Sequence, residues 1–373
     1  MVCKALGRGR REVVAIKKVE GLFEEVLEER CFTFMDVLRE IYILSELEHD
    51  NIIALKRFFR PPNENNLYLI YQYAETDLSE AIRSGVLEDT HKSYILYQLL
   101  TALKFLHSAG VVHNNIKPNN ILINSDSTIK LADFTYARLT GEPRTIEGFS
   151  TAERLRGYVP PEVLLGSLFY TREMDIWSLG CLFGEILLGE KVFPGISNWN
   201  QLERILEVTG IPSQEDLLSL GSEFAETMVE HMYEPHRRSL KKELSRSPPK
   251  AVKLLKRFLV FNPSKRISID EALVHPYVSQ FFDPKDLKTR SPLKIPFDTT
   301  KKSLEYGCET FTTLQNSILH SKIFVDWPNT HHSLPLSKQG LVELFLLILE
   351  RTYHVPKDLS ILLIRKTLTL LKF

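Results

Sequence analysis

His113-Asn114-Asn115-Ile116-Lys117-Pro118-Asn119-Asn120-Ile121-Leu122-Ile123-Asn124 is the stretch on which the reading of this chain turns. Pro118 and five asparagines break any helical run, so the stretch reads as a loop. It lies between a helical segment that stops near Gly110 and a short apolar strand, Ile121–Ile123. A second apolar strand, Ile129–Ala132, leads to Asp133-Phe134-Thr135, and Asp133 follows Asn115 by 18 residues.

Outward from this loop the elements follow from periodicity. His91–Ser108 carries Ile95, Leu99, Ala102, Leu103 and Leu106 at helical spacing, and this helix delivers the loop. Phe34, Val37, Leu38, Ile41, Leu44 and Leu47 mark another helix. Val13–Lys18, Leu55–Arg60 and Leu67–Tyr73 read as strands, the last two joined by Pro61-Pro62-Asn63-Glu64-Asn65-Asn66. Arg8-Gly9-Arg10-Arg11 has the composition of a hairpin turn. Asp175–Gly189 is apolar on nearly every face and belongs in the middle of a domain. Ser268 and Glu271 form a capping box ahead of a helix that ends at His275-Pro276-Tyr277.

The chain has 373 residues, room for one large two-lobed domain and a tail. Its 47 basic and 47 acidic residues cancel, which argues against a nucleic-acid or membrane-surface protein. Cys3, Cys31, Cys181 and Cys308 are scattered without metal spacing and fit a reducing compartment. Lys4, Arg8, Arg10 and Arg11 are not followed by a long apolar run, so no signal peptide is read. Leu341–Leu349 is too short to span a bilayer. The expected location is the cytoplasm, with the nucleus as a second compartment.

The loop and Asp133-Phe134 together resemble the catalytic loop H-R-D-L-x-x-x-N and the D-F-G motif of protein kinases, at matching spacing. Val13-Val14-Ala15-Ile16-Lys17 resembles the V-A-I-K strand, and Arg39-Glu40-Ile41 the helix whose glutamate pairs with that lysine. Tyr71-Gln72-Tyr73-Ala74-Glu75-Thr76-Asp77-Leu78 resembles the hinge of mitogen-activated protein kinases. Phe193-Pro194-Gly195 and Gln201–Leu206 resemble the insert of the mitogen-activated and cyclin-dependent group, and Ile211–Leu218 points to the former, most like the atypical extracellular-signal-regulated kinases. The resemblance covers roughly Met1–Thr313.

It implies an α+β, two-lobed protein kinase fold: a small, mostly β N-lobe over residues 1–73 and a large α-helical C-lobe over 74–278. A C-terminal extension over 279–318 and a tail of unknown structure over 319–373 follow. Val2 falls where the glycine-rich loop motif has its valine, so the first strand and that loop are expected to be missing.

The resemblance also implies roles. ATP would be met by Val2, Lys17, Glu40, Tyr71 at the back of the adenine pocket, and the backbone of Gln72, Tyr73 and Ala74. Mg²⁺ would be held by Asn120 and Asp133, and Lys117 would reach the transferred phosphate. His113, Phe134, Glu162, Asp175 and Arg266 would be structural, Arg266 pairing with Glu162. A buried unpaired carboxylate is costly, so Asp175 is expected to accept backbone N–H bonds from the loop. Asp283 and Asp286 resemble an acidic docking site for basic peptides of partner proteins.

Several positions depart from the family pattern. Asn115 stands in place of the catalytic base, Asn114 in place of the preceding arginine, and Thr135 in place of the D-F-G glycine. Pro160-Pro161-Glu162 replaces A-P-E; Val159 and Leu155 stand where arginine and threonine are usual. Ser150-Thr151-Ala152 occupies the T-x-Y position without a tyrosine. The arginine, the phosphotyrosine and its second basic partner serve one switch, so their joint loss reads as an abandoned switch. The leading expectation is a kinase-fold protein with lost or strongly impaired phosphoryl transfer, binding ATP–Mg²⁺ weakly and acting as a signalling partner. Two alternatives stay open: an active Ser/Thr kinase, and a non-functional truncated gene product.

Overall fold

The computed structural model describes residues 2–6, 13–24, 29–144, 152–232, 235–300 and 303–318. They form two compact units: one from the described residues within 1–21, 56–73 and from 317 on, the other from 22–55 and 74–316. The tail with its apolar runs, and Ser150 and Thr151, lie outside the described residues.

The first unit is a four-stranded sheet in the order β1-β2-β4-β3, with β1 Val2–Leu6, β2 Val13–Val19, β3 Leu55–Phe59 and β4 Leu67–Gln72. β1 and β2 pair antiparallel, Val2 opposite Lys17 and Leu6 opposite Val13; the turn expected at Arg8-Gly9-Arg10-Arg11 lies outside the described residues. β2 pairs antiparallel with β4, Lys17 opposite Leu69 and Val14 opposite Gln72. In β4, Leu67, Leu69 and Tyr71 are buried, the period-2 alternation of a half-covered strand.

The second unit is built around helices. α1 spans Glu29–Glu46, several residues longer at its start than the periodicity marked. Its stripe of Phe34, Val37, Leu38, Ile41 and Leu44 is buried. After β5 (Thr76–Asp77), Asp77 caps α2 (Leu78–Arg83) by accepting Glu80 N–H at 3.2 Å. α3 runs Asp89–Ser108, and β6 (Val111–Val112) follows it. β7 (Ile121–Ile123) and β8 (Ile129–Leu131) form a hairpin whose strand β7 also pairs with β5. β9 (Arg138–Leu139) pairs with β6, closing a small two-stranded ribbon under the loop 113–120.

The helix Arg172–Leu188 lies at the centre of this unit, with Trp177, Leu179, Leu182 and Phe183 fully buried. Such burial on all sides is what its apolar composition requires. At the far end of the chain the helix Leu304–Ile318 packs on α1: Phe311 meets the Phe23 ring edge-on at 5.2 Å, and Phe23 meets Phe34 at 5.1 Å. No helix among the described residues is long and apolar enough to cross a membrane.

Candidate active site

The loop between β6 and β7 is positioned from below by one carboxylate. Asp175, fully buried at the start of the central helix, accepts the backbone N–H groups of His113 at 2.8 Å and Asn114 at 2.9 Å. His107 Nε2 lies 2.9 Å from the same carboxylate. Three donors replace the water such a group would lose on burial. Asn114 takes a left-handed backbone, φ +56°, which asparagine tolerates better than most residues.

His113 is wholly buried, and burial holds its pKa below the ordinary value. Its Nε2 faces the Ala132 carbonyl at 3.1 Å and its Nδ1 accepts Asn115 N–H at 3.3 Å. These bonds match the neutral tautomer with the proton on Nε2. The ring meets Phe134 edge-on at 4.7 Å, which packs the start of Asp133-Phe134-Thr135 against the loop. Pro118–Asn120 forms a single 3-10 turn within this loop, and Asn120 Nδ2 donates to the Asn115 carbonyl at 2.8 Å.

These anchors bring Asn115, Lys117, Asn120 and Asp133 together. Asn115 Nδ2 donates to Asp133 Oδ2 at 2.6 Å. Thr135 Oγ1 lies 2.8 Å from Asp133 Oδ1 and 2.8 Å from Glu40 Oε2, with one proton to donate. Asp133 itself is left-handed, φ +63°, uncommon for a residue with a Cβ and frequent where side-chain aim matters. Asn115 thus donates to one Asp133 oxygen, and the Thr135 hydroxyl lies beside the other. Asn120 carries an amide oxygen and Asp133 a carboxylate, the oxygen types that suit Mg²⁺. An aspartate at position 115 would have contributed a charge where this chain presents an amide.

Residues 152–159 reach the same place. Arg154 Nη1 donates to Asn115 Oδ1 at 2.8 Å and to the Asn114 carbonyl at 2.9 Å, and the Arg154 carbonyl accepts Lys117 Nζ at 3.5 Å. Burial, and next the Arg154 charge, hold the Lys117 amine below its usual pKa. Burial also pushes Arg154 down to about 10. Leu155 and Val159 join Ala152, Val163, Tyr170 and Met174 in one apolar cluster. Nothing in the sequence separated Arg154 from its neighbours Glu153 and Arg156, and the role of Thr135 was equally unmarked.

Lys17, Tyr71, Gln72 and Tyr73 belong to the sheet unit: Lys17 stands mid-β2, Tyr71 is buried and Gln72 ends β4. Lys4 Nζ lies over the Tyr73 ring at 4.5 Å. Val2 opens β1 opposite Lys17. Ala74 belongs to the second unit. Glu40, in α1, is buried and belongs to that unit with Thr135. Glu162 and Arg266 form a buried two-pronged pair at 2.7 and 2.6 Å. Asp283 and Asp286 are exposed in a 3-10 turn; Asp286 Oδ2 accepts the Tyr97 hydroxyl at 3.0 Å.

A protein kinase domain model matches residues 1–278. The chain is 44% identical over 296 residues to extracellular signal-regulated kinase 2 of Dictyostelium discoideum, covering 77% of this chain and 78% of that protein. It is 42% identical over 295 residues to mitogen-activated protein kinase 15 of Xenopus laevis, covering 76% of this chain but 49% of that protein. It is also 38% identical over 290 residues to mitogen-activated protein kinase 10 of Arabidopsis thaliana, covering 77% of this chain and 72% of that protein. With the α+β fold and the paired loop and Asp133 motifs, these likenesses show that the chain belongs to the mitogen-activated protein kinase family of Ser/Thr protein kinases.

Proposed function

We propose that this chain is a mitogen-activated protein kinase-like domain that binds ATP with Mg²⁺, transfers phosphate poorly or not at all, and serves cytoplasmic signalling as a binding partner. The observation that carries the reading is the state of Asn115. Its amide nitrogen donates to Asp133 and its amide oxygen accepts from Arg154. An amide in this position cannot take a proton from a substrate hydroxyl. General-base catalysis contributes about 10²–10⁴-fold, so transfer should fall by that order. When bound, Mg²⁺ supplies charge neutralisation on the phosphates; Asn120 and Asp133 are the residues that would hold it.

Asn115→Asp restores a carboxylate at the base position. With labelled ATP and a generic protein acceptor, the variant is expected to transfer phosphate about 10²-fold faster or more than the natural chain. Equal rates for the two would sink the reading. Nucleotide binding is expected to be weak and Mg²⁺-dependent; a thermal shift with ATP–Mg²⁺ that Asp133→Ala leaves untouched would contradict it. Activation by dual phosphorylation is not expected, since the segment offers no tyrosine beside Thr151.

A second reading has one observation of its own. Lys117 is pushed toward neutrality by burial and by Arg154, which is the shift a lysine base would need. An active Ser/Thr kinase working through Lys117 would show transfer by the natural chain that rises with pH and vanishes in Lys117→Met. The exposed acids Asp283 and Asp286 suit a basic docking peptide, bound modestly because exposed ion pairs contribute about 0–1 kcal/mol each.

A further inference from the structure

Residues 152–155 lie against the catalytic loop, and one side chain makes the connection. Arg154 Nη1 bridges two acceptors on consecutive residues, the Asn114 carbonyl at 2.9 Å and Asn115 Oδ1 at 2.8 Å. Its guanidinium lies over the Tyr136 ring, 3.5 Å from the centroid, so the cation also touches the segment just past Asp133. Its own carbonyl takes the Lys117 ammonium. One residue thus gathers three points of the site: loop backbone, loop side chains and the turn after Asp133.

The surroundings favour a fixed position. Immediately beside Arg154, Leu155 and Val159 are buried in the cluster with Ala152, Val163, Tyr170 and Met174. Apolar packing holds one side of the segment and the guanidinium holds the other. A guanidinium is planar, pre-organised and permanently charged, and its hydrogen bonds are stronger than those of neutral donors. None of these contacts includes a phosphate oxygen or needs one.

We propose that Arg154 is a built-in latch that fastens the activation segment to the catalytic loop without phosphorylation. The idea deepens the proposed loss of the switch by naming what takes its place. It rests on that reading only in treating 152–159 as the activation segment. The latch makes the loop's carbonyl and the Asn115 amide oxygen the fixed acceptors and puts the cation on the segment.

Backbone hydrogen exchange on the full, phosphatase-treated chain tests this, without nucleotide or acceptor protein. Peptides covering 152–159 are compared in the natural chain, Arg154→Ala, Arg154→Met and Arg154→Lys, with peptides of the helix Arg172–Leu188 as the internal standard. Met keeps the bulk and removes the charge. The expected result is at least about tenfold faster exchange over 152–159 in the Ala and Met variants, with the standard unchanged and Lys intermediate. Exchange in Arg154→Met equal to that of the natural chain would reduce the contact to packing and overturn the latch. An equal rise in the helix Arg172–Leu188 would make Arg154 a general stability residue and overturn it too. A natural chain that proves catalytically active would refute the proposed function and leave the exchange result standing.

Discussion

Arg266 uses all five of its N–H donors. Two go to Glu162 and the others to the carbonyls of Val260, Glu173 and Phe261. The pair is buried, with side-chain exposures of 1% and 3%, so water cannot replace a lost partner. Removing one member of such a pair strands a charge, a loss of about 3–5 kcal/mol. Glu162→Ala is expected to lower unfolding stability by that amount in urea titrations; a loss under about 1 kcal/mol would show that the structure relaxes around Arg266. Asp50→Ala, which breaks the exposed pair with Lys288 at 2.8 Å, is expected to change stability by no more than about 1 kcal/mol. At this scale residue identity was highly legible: an amide at 115 or a valine at 159 states its chemistry at once. Where the amide pointed was not, because a rotamer depends on what surrounds it.

The central helix Arg172–Leu188 shows what an element owes to its partner. A Cβ on Gly180 would come 2.7 Å from Phe258 Cβ and 2.9 Å from Leu259 Cδ2. The helix Pro249–Phe258 therefore approaches as closely as a bare Cα allows. Alanine favours an isolated helix over glycine by about 1 kcal/mol, while overpacking a core costs about 1–3 kcal/mol. The expected outcome for Gly180→Ala is a net destabilisation of about 1 kcal/mol, read as a lower thermal midpoint. A raised midpoint would mean that Phe258 can move aside without strain. Periodicity marked α1 and α3 to within a few residues, because burial repeats with the helical turn, whereas this helix was marked by its all-round apolar composition. The packing of Leu304–Ile318 on α1 was not readable, since it joins rings 288 residues apart, Phe23 and Phe311.

Acid sensitivity belongs to the whole molecule, since the net charge is zero and stability follows from protons bound in each state. Burial, and next the Lys288 charge, push His49 from 6.5 down to about 4. Its Nδ1 accepts Asn51 N–H at 3.0 Å and its ring stacks on Phe105, contacts that favour the neutral form. With the folded value below the unfolded one, the unfolded chain binds the proton first. Stability is then lost as pH falls from about 6.5 to about 4, and His113 acts in the same direction. Hydrogen bonds from Lys265, Asn262 and Ser213 hold Asp216 well below the carboxylate range. Its contribution is full above 3.8 and is lost only at lower pH still. Between pH 7 and 4.5 the His49 share is about 2 kcal/mol. His49→Gln is expected to lose that much less than the natural chain over this interval in urea unfolding. Parallel pH profiles for the two would exclude His49 as a source.

The sequence by itself determined the kinase fold, through ordered motifs at set spacings, and it determined that no carboxylate stands at the base position. It also showed that Ser150-Thr151-Ala152, at the T-x-Y position, carries no tyrosine. Only the tertiary structure decided that Asn115 turns its amide onto Asp133, that Thr135 lies between Asp133 and Glu40, and that Arg154 rather than Arg156 closes on the loop. Tyr97 holding Asp286 across 189 residues belongs to the same class. Spacing and composition act through the local backbone, whose few allowed conformations make periodicity readable. Contacts between distant residues depend on which side chains the packed core leaves within hydrogen-bond reach, and no local pattern carries that information.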